Sequence, residues 1–231
     1  MTVTVDTRKE LDRILEDAHT YRMDHSVTSY ILYALAWFGF GLIHSLLARE
    51  WFKSRLKPFF GAYYRFAYNV FAMLNLISVY FLGLILFQGQ VAYLRPDWLW
   101  WCQGVLHGMG WIVMFWALRE YDLGKLAGFK QIREHFQGIM AHDEEPLHFN
   151  GFHRWMRHPL YMAGMMILWG RVTSGFDLAT AICASVYLWI GSIYEERHLI
   201  RLYGDHYATY KSRVPAFFPW KGQVTLKEPK I

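Results

Sequence analysis

An arginine, a histidine and a tyrosine stand at Arg157, His158 and Tyr161, and a pair of carboxylates at Glu195 and Glu196. Between the two groups lie two apolar runs, Pro159 to Gly170 and Leu178 to Tyr194, separated only by Arg171 to Asp177. Two helices joined by so short a link form an antiparallel hairpin, so the first group starts one helix where the second group ends the next. Pro159 suits the first helical turn, where its missing N–H costs nothing. Two cations, a ring and two carboxylates meeting at one water–lipid boundary suit a polar, charged cofactor. Glu195 and Glu196 point about 100° apart on a helix, so one alone is expected to enter such a site.

These residues need a membrane framework to position them. The chain is 54% hydrophobic and only 19% charged, and the apolar residues cluster. Val27 to Ala48, Val70 to Phe87 and Trp98 to Leu118 contain no Asp, Glu, Lys or Arg. Each is about long enough to cross ~30 Å of hydrocarbon as a helix. With the hairpin, the pattern predicts an all-α integral membrane protein of about five transmembrane helices. Residues 27–231 read as one membrane domain behind a charged N-terminal segment, 1–26. In that segment Leu11, Ile14, Leu15 and Ala18 recur at helical spacing, which predicts an amphipathic surface helix. A signal peptide is not expected, since the first apolar run follows a charged stretch.

The net charge of +5 is placed as topology requires, which disfavours nucleic acid as a partner. Arg and Lys cluster after the first run, between the third run and the hairpin, and in the tail, whereas the opposite loops carry only Arg95 and Arg171. The positive-inside rule therefore predicts a cytoplasmic C-terminus and a cytoplasmic cofactor pocket, with the N-terminus across the membrane. Cys102 and Cys183 fall inside apolar runs and read as small buried hydrophobes. CxxC, HExxH, a P-loop and a complete GxGxxG are all absent, so a soluble dinucleotide-type domain is not supported. The run His142-Asp143-Glu144-Glu145 lacks a second ligand set and reads as a solvated loop, with no metal site expected.

Two histidines, His44 and His107, fall at membrane depth, where an ionisable residue usually faces protein or water. They raise a different class, a haem-binding or electron-transfer membrane protein. One haem needs both ligands at a common level. His44 lies near the end of its span and His107 near the middle of its own, so packed histidines are the stronger reading.

The motifs Arg157-His158-Pro159-x-Tyr161-x-x-Gly164, Glu195-Glu196-x-x-Leu199, Tyr203-Gly204-Asp205-x-Tyr207-x-x-Tyr210, Val214-Pro215 and Pro219-Trp220 occur in that order. Together they resemble the isoprenylcysteine carboxyl methyltransferase family and its bacterial relatives. Upstream, Ile43-His44-Ser45-Leu46-Leu47-Ala48, Tyr63-Tyr64-Arg65-x-x-Tyr68-Asn69, Tyr121-Asp122-Leu123 and Gly128-Phe129-Lys130-Gln131 resemble the methanethiol S-methyltransferase branch. The resemblance implies an integral membrane enzyme using S-adenosyl-L-methionine, with a cofactor-binding core at 147–220. It implies cofactor contacts from His158, Pro159, Leu160, Tyr161 and Gly164, from Glu195 with Glu196 less certain, and from His148, His153 and Gln131 on the approach. The family's Gly-x-Tyr in that approach is here Gly151-Phe152-His153, so its tyrosine contact is not carried over.

The methyl group of such a donor is already activated, so the protein mainly aligns donor with acceptor and excludes water. A thiol must first become a thiolate, and Arg157 is the nearby cation expected to stabilise it, with His158 beside it as a second catalytic residue. The prenylcysteine branch is expected to hold its substrate carboxylate with an Arg one turn before the glutamates. That position here is Gly191, which favours a small thiol such as methanethiol over a prenylcysteine carboxylate or a phospholipid. The expected location is a bacterial inner membrane, with membrane lipids as surroundings. Glu195, Leu199, Tyr203, Tyr207 and Tyr210 at helical spacing predict an interfacial helix, and Phe217-Phe218-Pro219-Trp220 a surface anchor.

Overall fold

The computed structural model describes residues 27–139 and 150–224. The surface helix expected before residue 27, the 142–145 run and His148 lie outside the described residues. Those that are described form helices, with no strand among them. In order they are α1 Val27–Leu47, α2 Glu50–Phe60, α3 Tyr64–Leu86, α4 Asp97–Leu118, α5 Leu123–Ala127, α6 Phe129–Phe136, α7 Pro159–Trp169, α8 Gly175–Tyr203 and α9 Asp205–Arg213. Short 3-10 turns at Gly61–Tyr63 and Gly151–Arg154 lead into α3 and towards α7.

Among the described residues, three helical stretches are long and apolar enough to cross a membrane: α1, the α2–α3 run and α8. The hydrocarbon-facing sides are apolar and bare, with Phe38 and Ile85 each 69% exposed and Phe115 64% exposed. Surface of that kind belongs in lipid rather than water. Helix α4 has 22 residues, but its glutamine, histidine and glycines dilute its apolar character. The expected fifth crossing is not a full one. Helix α7 has 11 residues, and at 1.5 Å per residue it spans ~16 Å, about half of the hydrocarbon thickness.

The last carbonyls of an apolar helix need partners where water is excluded, and α4 supplies the donors. His107 Nδ1–H donates to the Ile167 carbonyl at 3.0 Å, and its Nε2 accepts from Trp111 Nε1–H at 3.0 Å. Gln103 Nε2 donates to the Val172 carbonyl at 2.9 Å. Both nitrogens of His107 are therefore engaged within the bundle, as a packing histidine requires. Among helices α2 to α9 the α4–α7 contact is the most extensive, and two glycines allow it. A Cβ on Gly170 would stand 2.5 Å from the His107 backbone nitrogen, and one on Gly110 2.8 Å from that of Ile167.

The short link after α7 is closed by its own side chains. Ser174 caps α8 by accepting from the Asp177 N–H at 3.2 Å, while Asp177 accepts from the Thr173 N–H at 2.9 Å. Across the bundle, Tyr33 is fully buried and bonds Thr180 at 2.9 Å, tying α1 to α8. Tyr33 and Phe176 also occupy the space that a Cβ on Gly83 would need, so α3 closes on the same point. Cys102, expected to be buried, instead lies on the exposed side of α4.

Replacing Gly170 by Ala should therefore destabilise the bundle by about 1–3 kcal/mol, as overpacking against backbone does. Gly104→Ala and Gly108→Ala, which meet nothing within 4 Å, should change stability far less. Thermal unfolding of the three variants in one detergent checks this. Equal midpoints would show that the α4–α7 contact does not limit stability.

Candidate functional site

Gly204, at φ +56°, ends α8 and turns the chain into α9. That reversal brings Tyr207 and Tyr210 inward. They are 2% and 3% exposed and pack with Val214 against Leu199, Ile200 and Tyr203. Burial pushes both phenols up from their usual titration range. The expected interfacial helix with tyrosines on the headgroups is thus two helices with those tyrosines in a core. After α9 the chain runs back beside the entry to α7, where the Arg157 and His158 N–H groups donate to the Pro215 and Ala216 carbonyls at 2.9 and 3.0 Å.

This clamp sets a buried carboxylate at its centre. Glu196 is 5% exposed, with Arg157, His158 and Lys211 around it. Arg157 Nε donates to Oε1 at 2.7 Å and another guanidinium nitrogen stands 2.6 Å from the same oxygen. His158 Nε2 lies 3.0 Å from Oε1, and Lys211 Nζ, from α9, 3.0 Å from Oε2. The remaining Arg157 nitrogen donates to the Lys211 carbonyl at 3.0 Å and to the Val214 carbonyl. Its guanidinium is committed to holding the clamp. Lys211 carried no signal in the sequence, because its place depends on the reversal at Gly204.

Glu195, the next residue, faces elsewhere. Its side chain is 45% exposed, accepts from Tyr161 Oη–H at 2.8 Å and has His158 Nδ1 3.6 Å away. The His158 and Tyr161 rings are stacked, 5.2 Å apart and 9° from parallel, and Phe217 also packs on His158 at 5.6 Å. Phe217 is therefore part of the site, while Phe218 and Trp220 stay exposed. Pro159 is fully buried at the start of α7, and Leu160 is half-buried beside it. Gly164 lies against Leu188 of α8, whereas a Cβ on Gly191 would meet nothing within 4 Å. Space is open one turn before Glu195.

The approach segment brings more of the expected residues together. Tyr121 Oη lies 3.2 Å from His153 Nε2, and Tyr210 Oη–H donates to the His153 carbonyl at 2.8 Å. Glu120, which the sequence did not single out, accepts from the Phe152 N–H at 3.1 Å. Burial raises its carboxyl above the usual range and that N–H partly offsets the shift. Gly151, at φ +52°, is required here, since a Cβ would fall on the Glu120 carboxylate. Gln131 is 6% exposed; its Nε2 donates to the Lys125 carbonyl at 3.1 Å, while its Oε1 has no partner among the described residues. Helices α5 and α6 are seated on the start of α3 by Asn69, which donates to the Leu126 carbonyl at 2.8 Å.

A second polar pair lies beside Tyr187 of α8. His44 Nε2 is 2.8 Å from Tyr68 Oη, and the His44 ring packs among Phe40, Tyr68 and Tyr187. Tyr187, Gly191 and Glu195 follow at intervals of four and share one face of α8.

Removing Arg157 should leave a buried carboxylate short of its main partner. Arg157→Ala is expected to cost about 3–5 kcal/mol of stability, and Arg157→Met with Glu196→Leu together should recover much of it. Unfolding midpoints of the single and double variants check this. A double variant no better than the single would show that the ion cluster is not the clamp.

No family model matches this sequence, and no solved structure matches it. Curated proteins do. The chain is 28% identical over 194 residues to Methanethiol S-methyltransferase 1 of Bradyrhizobium diazoefficiens, covering 80% of this chain and 65% of that protein. It is 26% identical over 201 residues to Methanethiol S-methyltransferase of Crocosphaera subtropica, covering 80% of this chain and 72% of the relative. Nurim of Sus scrofa is 28% identical over 190 residues, with 73% and 69% covered. The chain is thus a homologue of proteins named methanethiol S-methyltransferase and Nurim, consistent with the isoprenylcysteine carboxyl methyltransferase-like motifs around Arg157 and Glu195.

Proposed function

We propose that this chain is a membrane methyltransferase that uses S-adenosyl-L-methionine and methylates a small thiol such as methanethiol to a thioether. The observation that carries the reading is the half-exposed Glu195 carboxylate beside the stacked His158 and Tyr161 rings, with open space at Gly191. The names of the relatives supply the reaction class and the thiol. The donor set fits the cofactor. A carboxylate and an aromatic face suit its ammonium and sulfonium, and the buried, unpartnered Oε1 of Gln131 suits an amine N–H of its adenine. When bound, the cofactor supplies a methyl group already activated on a positively charged sulfur.

The residues then divide the work. Glu195 binds the cationic end, and Tyr161 fixes its carboxylate with a 2.8 Å hydrogen bond. His158 sits between the two carboxylates and sets the position of both. Pro159, Leu160 and Gly164 give the wall of α7, and His153, held by Tyr121 and Tyr210, closes the approach. Glu196 and Arg157 do not face the ligand but fix the elements that do. Gly191 leaves room for an acceptor without offering a cation, so burying a prenylcysteine carboxylate there is heavily penalised. The basic loops support a cytoplasmic site and C-terminus, by the positive-inside rule.

Glu195→Gln and His158→Ala should each weaken S-adenosyl-L-methionine binding roughly ten- to a hundredfold, the worth of one charge-assisted contact at ~1.5–3 kcal/mol. Calorimetry on the purified chain measures this, and wild-type affinity in both variants would sink the assignment. Labelled-methyl transfer should reach small thiols and bypass prenylcysteines and phospholipids, and Gly191→Arg should slow the thiol reaction. Faster transfer to a prenylcysteine than to every thiol tested would reverse the acceptor assignment. A C-terminal reporter active only outside the cytoplasm should stay silent; a strong signal would overturn the orientation.

A further inference from the structure

Helix α1 ends at Leu47, and after Ala48 and Arg49 the chain enters α2, which carries Lys53, Arg55 and Lys57 against one acid, Glu50. None of the residues of α2 is buried. Gly61, at φ +53°, breaks the run between α2 and α3, so α2 does not simply prolong the apolar helix that follows. At this end of α1 and α3 apolar chain gives way to charge, as it does where hydrocarbon meets water.

Here α1, α2 and α3 leave a groove of about 180 Å³, bounded by Leu47, Leu56, Phe60, Tyr64, Tyr68 and Phe71. From Tyr64 to Phe71 it follows α3 for ~10 Å, at 1.5 Å per residue. Both phenols are already engaged: Tyr64 Oη–H donates to the Leu47 carbonyl at 2.7 Å, and Tyr68 Oη bonds His44 Nε2 at 2.8 Å. The wall left to an occupant is apolar, and it suits hydrocarbon. Past Leu47 and Phe71 a shallower crevice continues between α1 and α3, by His44 and Asn75. That is the path of an alkyl chain running inward from the boundary. The cations stand on the matching side. Lys53, Leu56, Lys57 and Phe60 recur at i, i+3, i+4 and i+7, so both lysines share the face of α2 whose Leu56 and Phe60 line the groove. Lys57 is exposed, and Lys53 is half-buried with Nζ 3.6 Å from Glu50. Arg55 belongs to another face, over the Trp51 ring at 4.4 Å.

We propose that this groove is a binding site for one anionic phospholipid, with an acyl chain between α1 and α3 and the phosphate and headgroup against Lys53 and Lys57. A lysine stem is apolar and its ammonium reaches for water, so both side chains can lie along the acyl chain and still meet the phosphate. A zwitterionic lipid offers the same chains and the same phosphate, but its own ammonium offsets the charge. Two lysines on one face therefore select a headgroup that is negative overall. The lipid would join the end of α1 to the α2–α3 run where the Tyr64 hydrogen bond already ties them. No lining residue comes from α7 or α8, so the site is separate from the one around Glu195 and independent of what is methylated there.

Native mass spectrometry of the delipidated full chain, titrated with dioleoylphosphatidylglycerol or dioleoylphosphatidylcholine, tests this. One phosphatidylglycerol should bind about tenfold more tightly than phosphatidylcholine, or better. Lys53→Gln and Lys57→Gln should each cost about fivefold in phosphatidylglycerol affinity, the worth of one cation beside an anionic headgroup, and leave phosphatidylcholine binding unchanged. Ala67 also lines the groove, and Ala67→Phe, which fills it, should weaken both lipids by about tenfold or more. The lysine substitutions keep most of the stem, so they decide the matter should Ala67→Phe fail to fold. Glycerol 3-phosphate, a phosphate without chains, should not displace the bound lipid. Equal affinity for the two lipids, or a preference that survives both lysine variants, would overturn the assignment. Displacement by glycerol 3-phosphate would make this a site for free phosphates instead, and a lipid-free dimer that Ala67→Phe dissociates would make the groove a contact between copies; either result also overturns it.

Discussion

The structure around the site depends on one buried carboxylate. Glu196 joins three parts of the chain that are far apart in sequence: the entry to α7 through Arg157 and His158, α8 through its own backbone, and α9 through Lys211. A carboxylate buried to this extent costs several kcal/mol unless its partners are well placed, so the arrangement is all or nothing. That stringency fixes His158 and the start of α7 through side chains that stay buried. The same residue shows why two adjacent glutamates are not redundant. A 100° turn of the helix sends one to the clamp and leaves the other open, held only by Tyr161 and the edge of His158.

The half-length α7 is the second constraint. The last carbonyls of so short an apolar helix need partners, and α4 supplies them with Gln103 and His107 while Gly110 and Gly170 let the backbones meet. At the start of α7, Arg157 and His158 meet residues from the tail. Polar residues that look functional in an apolar helix can therefore be supports. His107 is one; His44 is placed differently, bonding Tyr68 of α3 at 2.8 Å and packing on Tyr187 of α8.

The relation to proteins named methanethiol S-methyltransferase and to Nurim sits on this frame. What such a frame can vary is the surface facing the open space on α8. Glycine at 191 leaves that space open, and the Tyr161 hydroxyl bonds Glu195 one turn on.

The sequence by itself determined the all-helical membrane class, the hairpin with Pro159 at its start, and the meeting of Arg157, His158 and Tyr161 with Glu195 and Glu196. Uninterrupted apolar runs and the 3.6-residue period are local properties, and they survive folding unchanged. It could not determine how α7 ends, since an apolar stretch of that length reads as a crossing until its neighbour is known to cap it. Nor could it place Tyr207, Tyr210 and Lys211, because helical spacing continues through Gly204 on paper while a positive φ breaks it in space. Glu120 and Phe217 were equally silent: one matters through a glycine 31 positions away, the other through a ring that it meets only after the tail folds back. Which glutamate is buried was decided by the tertiary fold, because α9 delivers Lys211 to Glu196 while Glu195 stays exposed.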